Sequence, residues 1–389
     1  MARRRERKIF RRVFPREGLD RLNSRLIEGF GAWPNWFSGK SRAELRLLAR
    51  GRLLSLAERC GPGETARAAR AAVAADARRA DPHTWVGDVL AVAGGALRDH
   101  PPGDGDWQVR KEALLLLDCA LNVRRGSRWR RDVGRFYQDF MARAVEEIVS
   151  SRPAEGLRLW KIYNMGFVVR SRRHCVGFDI HPGRRLDPKL TVEQMRALAG
   201  ALDVAFVSHI HVDHLHTGFA RMMLEAGKTV VLPASYRPWL RGPGVIRVYN
   251  DYRTPIRIGG IEARCYPGWQ RLLARNCVYV VNLEGFRIAH NGDNTRQRLY
   301  RRLGNEEDLD VVLANCWSGM GRWADAADPD LLVTGHENEI GHGLSMRAPF
   351  RHTYDRLDRL GLAPGPDGPA RARCEILSWG EGLHFRRDG

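Results

Sequence analysis

The sequence predicts an α/β fold preceded by an all-α, basic N-terminal domain. Three observations carry this. Helical periodicity runs from Ser41 to about Glu155, short β-branched runs take over after Arg152-Pro153, and helical stretches are interspersed among those runs. The boundary is placed between 1–155 and 156–389.

In the first part, 43–57, 66–80, 109–123 and 133–150 are rich in Ala, Leu, Arg and Glu, with apolar residues every three or four positions. Cys60-Gly61-Pro62-Gly63, Asp81-Pro82 and Pro101-Pro102-Gly103-Asp104-Gly105 break them. Trp33, Trp36, Trp85, Trp107 and Trp129 read as bundle core rather than a ligand pocket. In the second part, 157–163, 167–170 and 175–180 form a strand meander, and Thr191 with Gln194 opens a helix through a capping box. Strands follow at 204–208, 229–233 and 246–249. Gly259-Gly260 joins 256–258 to 261–266, and Glu284-Gly285 joins 277–283 to 286–290, as two hairpins. Runs 311–315 and 331–334 are buried-type strands, and 347–360 is a helix.

Composition bounds the function. Of 389 residues, 43% are hydrophobic and 28% charged, which fits a globular chain rather than a disordered one. No apolar run reaches the roughly 18 residues of a membrane span. Arg-rich Met1 to Phe14 is not followed by the apolar core of a secretory signal. Seven cysteines without a CxxC pair read as thiols, which places the chain in the cytoplasm. The net charge is +19, and only six of the 64 basic residues are Lys. Residues 1–50 hold 14 basic and 5 acidic residues. This field favours a small anionic substrate; without a nucleic-acid motif, nucleic acid is not the favoured partner. The helical part is also a candidate surface for a homo-oligomer.

Nine of thirteen histidines fall between His174 and His342. The densest run, Ser208-His209-Ile210-His211-Val212-Asp213-His214-Leu215-His216, directly follows a strand. Imidazole nitrogen and carboxylate oxygen are the donors that Zn, Fe or Mn take at catalytic sites, and a strand end gives them a rigid base.

Here the chain resembles the metallo-β-lactamase fold superfamily, from about Leu157 to the C-terminus, and within it the lactonase-like members similar to ascorbate-6-phosphate lactonases. The resemblance implies an αββα sandwich and two divalent ions, Zn first, with Mn or Fe as alternatives. It assigns His209 and His211 to one ion, Asp213 and His214 to the second, Asp293 of Gly292-Asp293-Asn294 to both, and His336 of Thr334-Gly335-His336 to the second. Asp179 of Phe178-Asp179-Ile180 takes a supporting role. One position departs from the pattern: Cys265-Tyr266-Pro267-Gly268-Trp269-Gln270 holds no third histidine for the first ion, leaving Gln270's carbonyl oxygen or water for that place.

Around this set, Glu337, Glu339 and His342 are candidates to complete the metal shell, orient ligands or donate a proton; a solvated, capping loop is the alternative for both glutamates. His216 reads as a pocket wall or ligand support, and His174, His181, His352 and His384 as ordinary packing or surface residues. There is no Gly-x-Ser-x-Gly elbow, P-loop or dinucleotide fingerprint. The expected activity is hydrolysis of an ester, lactone or phosphodiester by a metal-bound hydroxide, with catalytic roles for Asp213, Asp293 and His342. The alternatives are a diiron redox enzyme, a metal-dependent nuclease, or a helical binding module beside a degenerate metal domain.

Overall fold

The computed structural model describes residues 40–78, 85–103, 106–123, 127–184, 187–234, 240–248, 252–270, 274–338, 348–362 and 373–387. Five helices come first: α1 (Arg42–Arg59), α2 (Glu64–Arg78), α3 (Trp85–Asp99), α4 (Trp107–Leu121) and α5 (Ser127–Ser150). Ser41 and Glu44 form a reciprocal capping box on α1, and Asp106 accepts from Gln108 N and Val109 N to start α4. Helix α3 carries Gly94-Gly95, and those glycines let it approach its neighbours closely: a Cβ on Gly94 would lie 2.9 Å from Phe136 of α5. Trp85 and Trp129 are buried here, as the sequence suggested, Trp107 is only half-buried, and Trp33 and Trp36 lie outside the described residues.

The rest is built on two seven-stranded mixed sheets. The first orders β16 (Gly382–Phe385), β1 (Leu157–Lys161), β2 (Phe167–Arg170), β3 (Cys175–Phe178), β6 (Val204–Phe206), β7 (Thr229–Pro233) and β8 (Val245–Val248). The second orders β15 (Arg373–Ile376), β14 (Leu331–Gly335), β13 (Val311–Asn315), β12 (Phe286–His290), β11 (Ala274–Leu283), β10 (Ile261–Gln270) and β9 (Ile256–Ile258). Short β4 (Gly183–Arg184) and β5 (Asp187–Pro188) pair with each other. Helices α6 (Val192–Ala201), α7 (Thr217–Glu225), α8 (Gln297–Glu306), α9 (Met320–Ala327) and α10 (Phe350–Leu360) fill the connections.

Strand alternation sorts the side chains into layers. Leu159, Phe167, Val169, Val176 and Phe206 of the first sheet meet Tyr279, Val281, Ile288, Leu313 and Val333 of the second in one apolar cluster between the sheets. The opposite faces, with Trp160, Val168 and Val230 on one sheet and Val280, Val312 and Leu332 on the other, pack in a second cluster with Leu198, Phe219, Leu303 and Trp323 of the outer helices. This is an αββα sandwich. The same outer cluster takes in Leu53, Leu90, Leu116 and Tyr137 of the first five helices. Tyr137 meets Trp379 at 4.7 Å between ring centroids, and Arg110 of α4 makes a buried two-pronged ion pair with Glu381 at 2.9 and 3.0 Å. Among the described residues, no helix is long and apolar enough to cross a membrane.

Strand β10 continues to Gln270, beyond the end expected at Tyr266. Pro267 is tolerated there because β9 pairs only with Ile261–Ala263, so the missing N–H falls where no strand needs it.

Candidate metal centre

The parallel strands set the site. Strands β3, β6 and β7 run parallel in one sheet and β12, β13 and β14 in the other, and the C-terminal ends of β3, β6, β12 and β14 lead into the segments carrying Asp179, the histidine run, Asp293 and His336. The sheets are stitched together at this end. Cys277 N donates to Ser208 O, the Tyr279 hydroxyl to Val207 O and His336 N to Asn164 O. Within the histidine run, His214 N and Leu215 N both donate to His211 O, a tight turn that gathers the side chains on either side of it.

Two groups result. Donor atoms of His209, His211 and Asp293 lie within 4.8 Å of one another, as do those of Asp213, His214 and His336. Asp293 faces both: its Oδ2 is 3.5 Å from His209 Nε2, and its Oδ1 is 3.4 Å from both His214 Nε2 and His336 Nε2. Asp213 Oδ2 is 3.3 Å from His214 Nε2 and 3.5 Å from His336 Nε2. All are buried except half-buried His211. Gly292 is required by this crowding: at φ 53 its missing Cβ would fall 2.5 Å from Asn276 Oδ1 and 2.6 Å from Ser208.

Hydrogen bonds behind the rings fix which nitrogen faces inward. Ser208 Oγ donates to Asp179 Oδ2 and, with that hydrogen used, accepts from His209 Nδ1 at 2.9 Å. His214 Nδ1 donates to Asp179 Oδ2 at 2.7 Å. Both Nε2 atoms are left buried with no hydrogen-bond partner. Burial, aided by the neighbouring imidazole of His214, pushes His209 well below its ordinary pKa. Burial works against charge on His214 too, but Asp293, Asp213 and Asp179 outweigh it and hold its pKa well above the ordinary value. Three buried carboxylates gathered around these imidazoles call for positive charge, and a divalent cation suits this nitrogen and oxygen set.

Gln270 stands where the third histidine was missed. Its Nε2 donates to Asp293 Oδ2 at 2.9 Å, and its Oε1 is buried with no hydrogen-bond partner. Glu337 corrects one expectation: it does not join the ligand groups but forms a fully buried ion pair with Lys161 at 2.5 Å, and it accepts from the Thr353 hydroxyl. A cation at the end of β1 drew it away from the carboxylate-rich centre. His216 caps α7 by accepting from Phe219 N through Nδ1, so one ring nitrogen is spent on the helix start. His290, deep between the sheets, stacks on Phe178 and bonds Met165 O. Glu339 and His342 lie outside the described residues.

Neither a family model nor a curated protein matches the sequence. Among solved structures, the chain is similar to Igni18, a metallo hydrolase from the archaeon Ignicoccus hospitalis (15% identity, 60% of this chain and 99% of that one, TM-score 0.48). It is also similar to the metallo-β-lactamase fold protein YhfI of Bacillus subtilis (11% identity, 59% and 100%, TM-score 0.45). A third is CmlA, a diiron β-hydroxylase from Streptomyces venezuelae (13% identity, 60% and 55%, TM-score 0.42). The layer order and strand directions described above are this chain's own.

Several supporting residues escaped sequence reading. Asn164 Nδ2 donates to Asp213 Oδ2 at 3.0 Å while its carbonyl holds His336 N. Asn315 Nδ2 donates to Asp293 Oδ1 at 2.8 Å, and Asn276 Oδ1 accepts from Asp293 N. The available signal was positional: Asn164 lies in the turn after β1 and Asn315 ends β13, at the end of the sandwich that carries the histidine run.

Proposed function

We propose that the chain is a metal-dependent hydrolase, with His209, His211 and Asp293 holding one divalent ion and Asp213, His214, His336 and Asp293 a second. One observation carries this reading: two buried imidazoles, fixed in one tautomer from behind, present unpartnered Nε2 atoms to shared carboxylates. When bound, a divalent pair supplies Lewis-acid polarisation and an activated water.

The chain's own groups do the rest. Asp179 and Ser208 hold the histidines in register, Asn164 and Asn315 orient the two aspartates, and the dry walls between the sheets strengthen each electrostatic contact. Asp213 and Asp293 are assigned to orient the reacting water, and His342 to supply the leaving-group proton. An anionic ester, lactone or phosphodiester is the proposed substrate, supported by the net charge of +19. A cytoplasmic setting fits seven cysteines kept as thiols.

Turnover of lactone and phosphodiester panels by Zn- or Mn-loaded protein tests the reading. Activity is expected to disappear on chelation and in His214→Ala; turnover that survives both contradicts it. A second reading, redox chemistry with iron, draws on Gln270: an amide in place of an imidazole gives an oxygen-richer, harder donor set. Iron retained after purification without added metal would favour it.

A further inference from the structure

Asp118 belongs to α4, in the first group of helices, yet its carboxylate is wholly buried and serves the far end of the chain. It accepts from Asn338 Nδ2 at 2.7 Å, from Phe350 N at 2.9 Å and from Arg351 N at 2.8 Å. Helix α10 begins at Phe350 behind Pro349, which offers no side-chain cap, so a carboxylate distant in sequence satisfies its first N–H groups. A buried carboxylate is costly to keep, and the donors that match this one among the described residues lie on the segment that follows β14 and on the start of α10.

That segment carries His336. His336 at φ 75 and Asn338 at φ 51 both hold left-handed backbone conformations, which non-glycine residues keep only where their surroundings over-determine them. His336 N is held by Asn164 O, Glu337 by Lys161, and Asn338 by Ala348 O through its backbone and by Asp118 through its side chain. The first two ties come from the sandwich. The Asp118 tie comes from the helices.

We propose that Asp118 is a positioning residue for the metal centre: by fixing Asn338 and the start of α10, the helical layer holds His336 where it meets Asp213 and Asp293. The inference rests on the metal reading above for what His336 does, and it gives the helices a role in the site without their touching substrate.

The test uses the full chain with Asp118→Asn and, separately, Asn338→Gly. The glycine suits the left-handed backbone and removes only the side-chain link. The first readout is amide hydrogen exchange across 331–338 in metal-free protein. Both variants are expected to exchange there at least about tenfold faster, with the 204–216 segment unchanged. The second is Zn²⁺ uptake in competition with a chromophoric chelator. One of two equivalents is expected to weaken about tenfold or more, the other by less than about threefold. Wild-type exchange rates in folded variants, or equal weakening of both equivalents, would overturn the proposal. Should Asp118→Asn fail to fold, Asn338→Gly decides alone. If the wild-type protein takes up no Zn²⁺, the metal reading falls, and the exchange comparison still decides whether Asp118 positions this segment.

Discussion

Gln270 is the residue at which this site differs most from the pattern its histidine run implies. Its amide nitrogen already binds Asp293 Oδ2, the oxygen that also faces His209. An imidazole there would replace a weak neutral oxygen donor by a stronger nitrogen donor. Gln270→His is therefore expected to tighten the weaker of two Zn²⁺ equivalents by about tenfold in a chelator competition, without shifting the other. No change in either affinity would remove Gln270 from the site. The proposed ligands were legible as a group in the sequence because four of them lie within one short run, where local spacing is enough to suggest a common purpose. Their supports were not. Asn164 and Asn315 meet Asp213 and Asp293, and Lys161 and Asp118 hold the residues just after His336, through tertiary contacts that no local pattern encodes, and Glu337 was misread because its partner Lys161 is distant in sequence.

At the scale of elements, β-branched runs were read readily, since strands buried on both faces leave continuous apolar segments. Helices α7, α8 and α9 were passed over for different reasons. Helix α7 starts at the end of the histidine run and uses His216 as its cap, a residue seldom associated with helix starts. Helix α8 buries Leu299, Tyr300 and Leu303 among its arginines, and α9 follows a left-handed Gly319 with no capping side chain. Helix α3 carries its own test. Gly94→Leu would drive a side chain into Phe136, and a loss of about 1–3 kcal/mol in urea unfolding is expected; unchanged stability would show that α3 and α5 can part at no cost.

Helix α10 gives a pH prediction. Burial first, then Arg356 and Arg359, push the His352 pKa from 6.5 down to about 4. Between those values the unfolded chain binds more protons than the folded one, so stability falls as pH drops through that window. His352→Gln should flatten this part of the profile, read as urea midpoints at about pH 7 and about pH 4.5. An acid-side slope equal to wild type would rule His352 out as its source.

Across the whole molecule, the helices and the sandwich share one outer apolar cluster and the buried Arg110–Glu381 pair, so they are expected to unfold together. Calorimetry should show one transition. Arg110→Met, which strands Glu381 without its partner, should lower stability by about 3–5 kcal/mol and move that transition as a unit. Two separate transitions, with only one of them displaced, would show that the helices fold independently of the sandwich.

On the proposed reading, the two donor groups joined by Asp293 hold divalent metal. Metal content by mass spectrometry on freshly purified protein, beside Asp293→Ala and His211→Ala, tests it most directly. The wild-type chain should carry about two divalent ions, with Asp293→Ala losing most of both and His211→Ala losing about one. A folded wild-type protein with no stoichiometric metal, or variants that keep the full complement, would contradict the account.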